Sequence, residues 1–142
     1  MEYRRIYYRE APDAAPEHPF EYQINFVMGE GSISYLNNDG GFTTRGAKLN
    51  EHDLKHFKLI LDKGRPEQYR EGLQIVDCFL KKDGLSWELL IDYMDGTPEL
   101  QINNFEEDNL EINKTMEMPA FIQELRKYAL EKLGLEDSQK GN

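Results

Sequence analysis

The sequence predicts an α+β domain, an antiparallel sheet of about six strands in two successive strand-strand-helix units, with two helices packed on one face. Three observations predict it. Apolar residues alternate with polar ones at period two over residues 20–28. Two Asp-Gly pairs, Asp83-Gly84 and Asp95-Gly96, stand between apolar runs as hairpin turns. Strand-patterned segments come before a helix-patterned segment twice, over about 20–63 and 73–133. A chain of 142 residues, 39% hydrophobic and 11% aromatic, has enough material for one core. Residues 1–135 read as a single domain and 136–142 as a flexible polar tail.

Tyr3 to Arg9 reads as a short strand of mixed aromatic and basic residues. Glu10 to Pro19 holds three prolines, which favour an extended surface connection. Phe20, Tyr22, Ile24, Phe26 and Met28 then mark one face of a half-buried strand. Gly29-Glu30-Gly31 is expected to turn the chain, and Ile33 and Tyr35 to continue the apolar face. Asn37 to Gly41 ends that strand with residues that accept positive φ. Asn50 is a helix cap, Gly64 and Pro66 form a stop, and Leu54, Phe57 and Leu61 make the buried stripe between them. Leu73 to Lys81 is apolar on both faces, as a strand inside a sheet would be. Pro119, at a first-turn position, opens a last helix with Phe121, Ile122, Leu125, Ala129 and Leu133 on one face, closed by Gly134.

If both Asp-Gly pairs are two-residue turns, the register follows. Leu80 faces Trp87, Cys78 faces Leu89 and Val76 faces Ile91; on the next ladder Ile91 faces Leu100 and Leu89 faces Ile102. All of these pairs are apolar, so they define the core face and bury Trp87. The opposite face carries Asp77, Phe79, Glu88, Leu90, Asp92 and Glu99, with Asp92 directly across from Glu99.

Charge is uneven along the chain. The net charge is −10, and residues 83–125 hold one lysine against eleven acids. Clustered like charge opposes compaction, so this stretch is where function is expected. The same balance excludes nucleic-acid binding through a basic face. No run of roughly 18 apolar residues exists, so no membrane span is expected. No leader peptide is read at the N-terminus, and a single Cys78 leaves no internal disulfide, so a cytoplasmic setting is expected.

Trp87-Glu88-Leu89-Leu90-Ile91-Asp92-Tyr93-Met94-Asp95-Gly96 resembles a W-x-L-x-I-x-Y-x-D-G hairpin found in small uncharacterised bacterial proteins, where a short loop with Asn and Pro leads to a closing helix. Asn103, Asn104 and Pro119 look like displaced counterparts, separated here by a long acidic connection. The resemblance spans residues 84–134, implies a bacterial or phage origin and implies no activity.

Candidate chemistry is sparse. His52 and His56 have the i, i+4 spacing of a metal-binding pair, with Asp53 where a zincin-type motif has Glu. No third His or Cys lies nearby, and both rings fall opposite the apolar stripe, so exposed surface histidines are the simpler expectation. His18 lies in the proline-rich connection with nothing to mark it as a base. Cys78 on the core face reads as packing. No nucleophile elbow or phosphate loop is present. No cofactor is expected.

Asp77, Phe79, Glu88, Leu90, Asp92 and Glu99, with the adjoining Glu106, Glu107 and Asp108, form an acidic, partly apolar surface. Apolar groups rimmed by one sign of charge suit a protein contact. The expected function is therefore a small acidic interaction protein that binds a basic protein partner, as immunity proteins and anti-defence inhibitors do. The rival is a carboxylate-metal hydrolase or small-ligand binder using Asp77, Asp92 and Glu99. Self-association through the sheet face is a third reading.

Overall fold

A computed structural model describes residues 2–12, 20–36, 41–70, 85–103 and 119–133. The chain is α+β, as expected. Six strands, β1 (Tyr3–Pro12), β2 (Phe20–Asn25), β3 (Glu30–Leu36), β4 (Phe42–Lys48), β5 (Leu85–Tyr93) and β6 (Leu100–Asn103), form one antiparallel sheet in the order β4-β3-β2-β1-β5-β6. Two helices, α1 (Glu51–Gly64) and α2 (Ala120–Leu133), pack on each other and cover one face of it.

The N-terminal strand is the centre of the sheet. Antiparallel pairing with β5 sets Arg5 beside Asp92 and Arg9 beside Glu88, and of these two only Arg9 closes an ion pair. The alternate residues Ile6 and Tyr8 stand beside Ile91 and Leu89 on the other face, fully buried. A shift in register between Tyr3 and Arg5 inserts one extra residue, so that Tyr3 and Ile6 both reach the core.

That position overturns one of the two inferred ladders. At Leu89 and Ile91, β5 has Tyr8 and Ile6 on one edge and Ile102 and Leu100 on the other. Neither residue has an edge left for Cys78 or Val76, and the neighbour of Trp87 is Glu10. The second ladder stands as inferred, Ile91 with Leu100 and Leu89 with Ile102. Leu73 to Lys81, including Cys78, lies outside the described residues. So does the 136–142 tail.

Other boundaries moved for local reasons. β2 stops at Asn25, three residues early, because the Asn25 side chain accepts hydrogen bonds from the backbone N–H groups of Val27 and Met28. The turn is therefore Phe26–Gly29, with Gly29 at φ +68°, and Met28 is 62% exposed. Gly31, expected in the turn, already belongs to β3. β4 was not expected at all. It is an edge strand whose residues are mostly exposed, so it lacks the apolar alternation that would reveal it.

The helices keep their expected limits. Asn50 caps α1 through a 2.8 Å bond from the Asp53 N–H, and Arg65 ends it in the left-handed region at φ 49°. Phe57, Ile60 and Leu61 are its buried apolar residues, joined by the buried Asp53, with Leu54 half-buried at the margin. α2 buries Phe121, Ile122, Leu125, Ala129 and Leu133, the five expected. Pro119 is the cap rather than a first-turn residue, since its carbonyl accepts from Ile122 and Gln123. The helices meet where Phe121 lies against Gly64: a Cβ there would stand 2.2 Å from the ring. Only glycine admits that approach.

Candidate functional site

The face of the sheet away from α1 and α2 is built from alternate residues of every strand. Register places Arg5, Tyr7 and Arg9 of β1 between Asn25, Gln23 and Glu21 of β2 and Asp92, Leu90 and Glu88 of β5. The middle rung is nearly uncharged, running from Ser32 through Gln23, Tyr7 and Leu90 to Gln101. Charge lies on the rungs to either side of it.

Those rungs alternate in sign. Arg9 Nη2 stands 3.2 Å from Glu88, which also accepts a hydrogen bond from Asn103 at 3.2 Å. Arg4 Nε is 3.9 Å from Asp92, and Lys48 Nζ is 3.7 Å from Glu30. The Tyr7 hydroxyl donates to Glu21; burial first, and then that carboxylate, push the phenol up to about 12. Arginines from β1 therefore stand among the acids of β5, a neighbourhood not visible while β1 had no position. Asp92 and Glu99 do lie close together, but the ladder begins only at Ile91 and Leu100, so they do not form a paired rung.

A pocket of about 270 Å³ opens on this face, lined by Arg5, Tyr7, Gln23, Leu90, Asp92 and Glu99. Three of the expected site residues, Leu90, Asp92 and Glu99, thus meet in one place. Glu88 sits on the next rung, 9% exposed. Asp77, Phe79, Glu106, Glu107 and Asp108 lie outside the described residues. Arg5, Tyr7 and Gln23 were missed, although the matched spacing of Arg5 and Arg9 with Glu88 and Asp92 was readable as a pairing signal.

Glu99 is held in position through its backbone. Arg70 donates to the carbonyls of Pro98 and Glu99 at 3.0 and 3.3 Å and grips Glu67 with two 2.7 Å bonds. The Tyr93 hydroxyl donates to the same carboxylate at 2.6 Å. Those Arg70 bonds, outweighing partial burial, hold the Glu67 carboxyl below its usual range. The segment after β5 is thereby tied to the turn that follows α1.

The helix-covered face carries a second polar constellation, also missed. Glu10, 7% exposed, takes two bonds from Arg126 of α2, Nη2 at 2.6 Å and Nε at 3.0 Å. The Tyr8 hydroxyl donates to Glu10, and the Tyr8 ring stacks on Tyr22 at 5.2 Å. The Tyr22 hydroxyl is buried without a hydrogen-bond partner among the described residues. Burial, then the nearby Glu10 carboxylate, raises the phenols of both tyrosines. This is a structural lock between α2 and β1.

His52 and His56 are exposed on α1, and the His56 ring lies 4.2 Å from that of Tyr128. Asp53 between them turns inward to Lys132 at 3.3 Å and the Tyr128 hydroxyl at 3.2 Å. Burial works against its charge, yet Lys132, Tyr128 and the Asn50 backbone together lower its pKa. Among the described residues no group of three or more His, Cys, Asp and Glu side chains is placed to hold a metal, and no helix is long and apolar enough to cross a membrane.

The chain matches no known protein family and no curated protein.

Proposed function

We propose that the chain is a small cytoplasmic interaction protein that binds a basic protein partner through the outer face of its sheet. The observation that carries this reading is the pairing of half-buried Tyr7 and Leu90 in a pocket on the face free of α1 and α2, with Asp92 and Glu99 at its rim. Aromatic and aliphatic groups at the centre would supply holding energy, and rim charge would set encounter rate. The net charge of −10 supplies long-range attraction for a basic partner even though Arg4, Arg5 and Arg9 temper the field at the face itself. One cysteine in 142 residues fits a reducing compartment.

The test uses the intact chain as bait in extracts of its native host, alongside Leu90→Ala and Glu99→Gln. A basic protein retained stoichiometrically by the wild type, released by salt and lost from Leu90→Ala supports the reading. Retention by all three baits alike places the contact elsewhere.

A further inference from the structure

Two residues of opposite charge, Arg5 and Glu99, line the same pocket. Neither side chain makes a hydrogen bond or ion pair among the described residues, so they do not neutralise each other. Every other described acid on this face has a partner: Glu21 has Tyr7, Glu30 has Lys48, Glu88 has Arg9, and Asp92 has Arg4. The unsatisfied pair is therefore confined to the pocket. Asp92 stands between them in strand order, and the neighbouring rung supplies the apolar Leu90, the Tyr7 ring and the Gln23 amide, whose side chain has no hydrogen-bond partner among the described residues.

A single cation would satisfy Glu99 and be repelled by Arg5; a single anion would do the reverse. One ligand class answers both. We propose that the pocket binds a small dipolar molecule, an α-amino acid with an aliphatic side chain, with its carboxylate at Arg5, its ammonium at Glu99 beside Asp92, and its apolar body over Leu90 and Tyr7. Charge-assisted bonds at both ends fix the orientation, and the apolar floor selects the side chain. A volume of about 270 Å³ falls just below the ~300–1,000 Å³ of drug-sized sites, which limits the occupant to a molecule of this size. The inference goes beyond protein docking, because it requires no macromolecular partner.

The purified chain is titrated with leucine, N-acetyl-leucine and leucine amide while the backbone resonances of Tyr7, Leu90 and Asp92 are followed by NMR. Leucine is expected to saturate with a dissociation constant on the order of 1 mM. Each blocked form, having lost one charged end, is expected to bind at least about tenfold more weakly. Arg5→Gln should weaken leucine to the level of leucine amide, and Glu99→Gln to the level of N-acetyl-leucine. Both residues are exposed and their side chains have no partner among the described residues, so neither change endangers the fold. Equal binding of all three probes, or no saturable shift with any, overturns the proposal. If leucine amide binds best and Arg5→Gln tightens it, the pocket takes a basic group alone; that overturns the dipolar ligand and leaves the protein-docking reading standing.

Discussion

The two faces of the sheet treat charge in opposite ways. On the helix-covered face a single carboxylate, Glu10, is almost completely enclosed and is held by a bidentate arginine and a tyrosine hydroxyl. On the outer face several carboxylates share the surface with arginines and a lysine at 3.2 to 3.9 Å, most of them in contact with water. The first arrangement is expensive to break, since removing either partner strands a charge in a low dielectric. The second is cheap to rearrange, which is what a binding face needs. A stability difference between the faces is the sharpest consequence.

Trp87 and Leu90, three residues apart on β5, make that difference measurable. The Trp87 indole is 1% exposed beneath the helices. Trp87→Ala should cost about 3–5 kcal/mol, through lost transfer energy and an unfilled cavity. Leu90→Ala, half-exposed on the other side, should cost about 1 kcal/mol or less. Chemical denaturation of both variants checks this. Similar costs would mean that the outer face is as closely packed as the core and is no docking surface.

Breaking the lock comes next in size. Glu10→Ala or Arg126→Ala should each cost about 3 kcal/mol, near the low end for buried pairs because the Arg126 side chain keeps 32% of its surface exposed. Glu10→Ala combined with Arg126→Ala should cost less than the sum of the two, as coupled partners require. Tyr22→Phe should be close to neutral, since it removes a buried hydroxyl that has no partner among the described residues. A large loss from Tyr22→Phe would show that the hydroxyl is satisfied in solution. Gly64→Ala should fall between these, at about 1–3 kcal/mol, because Phe121 must move away from the new methyl group.

Buried tyrosines and paired carboxylates also set the pH limits of stability. Tyr7 and Tyr128 are pushed up to about 12, and Tyr3, Tyr8, Tyr22 and Tyr93 are raised further, burial leading in every case. A raised folded-state pKa gives stability that is complete below the unfolded value near 10 and is lost as pH rises through the folded value. Six of the eight tyrosines should therefore ionise together with unfolding in an alkaline ultraviolet titration. Glu67 and Asp53 are lowered, so their contribution is present above the unfolded carboxylate value near 4 and fades as pH falls through the folded one. Tyr93→Phe should shrink the acid-side loss, because it removes one of the bonds that stabilise the ionised Glu67.

Much of this was legible, and the exceptions share a cause. Both described helices, the Leu89–Ile102 ladder and the burial of Trp87 follow from local patterns: caps, periodicity and one turn whose register carries over. The place of β1 did not follow, because strand order depends on contacts between residues more than seventy positions apart. Without a position for β1, the inferred pairing sets Cys78 and Val76 beside Leu89 and Ile91, whose two edges belong to β1 and β6. The site shared that fate. Its β5 half, Leu90, Asp92 and Glu99, was visible in the hairpin; its β1 and β2 half, Arg5, Tyr7 and Gln23, was not. Glu10 was hidden for a different reason, since one buried carboxylate among apolar neighbours leaves no periodic trace.

The smallest expected effect separates an acidic face from a mixed one most cleanly. If Asp92 had only Glu99 for company, Asp92→Ala would relieve repulsion and stabilise the chain by a few tenths of a kcal/mol. In the structure Asp92 also stands beside Arg5 in register and 3.9 Å from Arg4, whose side chain is 55% exposed. Exposed pairs of this kind contribute roughly 0–1 kcal/mol, so the two influences nearly cancel. Asp92→Ala should therefore destabilise slightly, by at most about 0.5 kcal/mol, and the loss should shrink as salt shortens the screening length. Arg4→Gln should reduce it as well, since it removes the cation that pairs with Asp92 and leaves only Arg5 to offset Glu99. A gain in stability for Asp92→Ala in the wild-type background would show that repulsion dominates there, and would return this face to a purely acidic character.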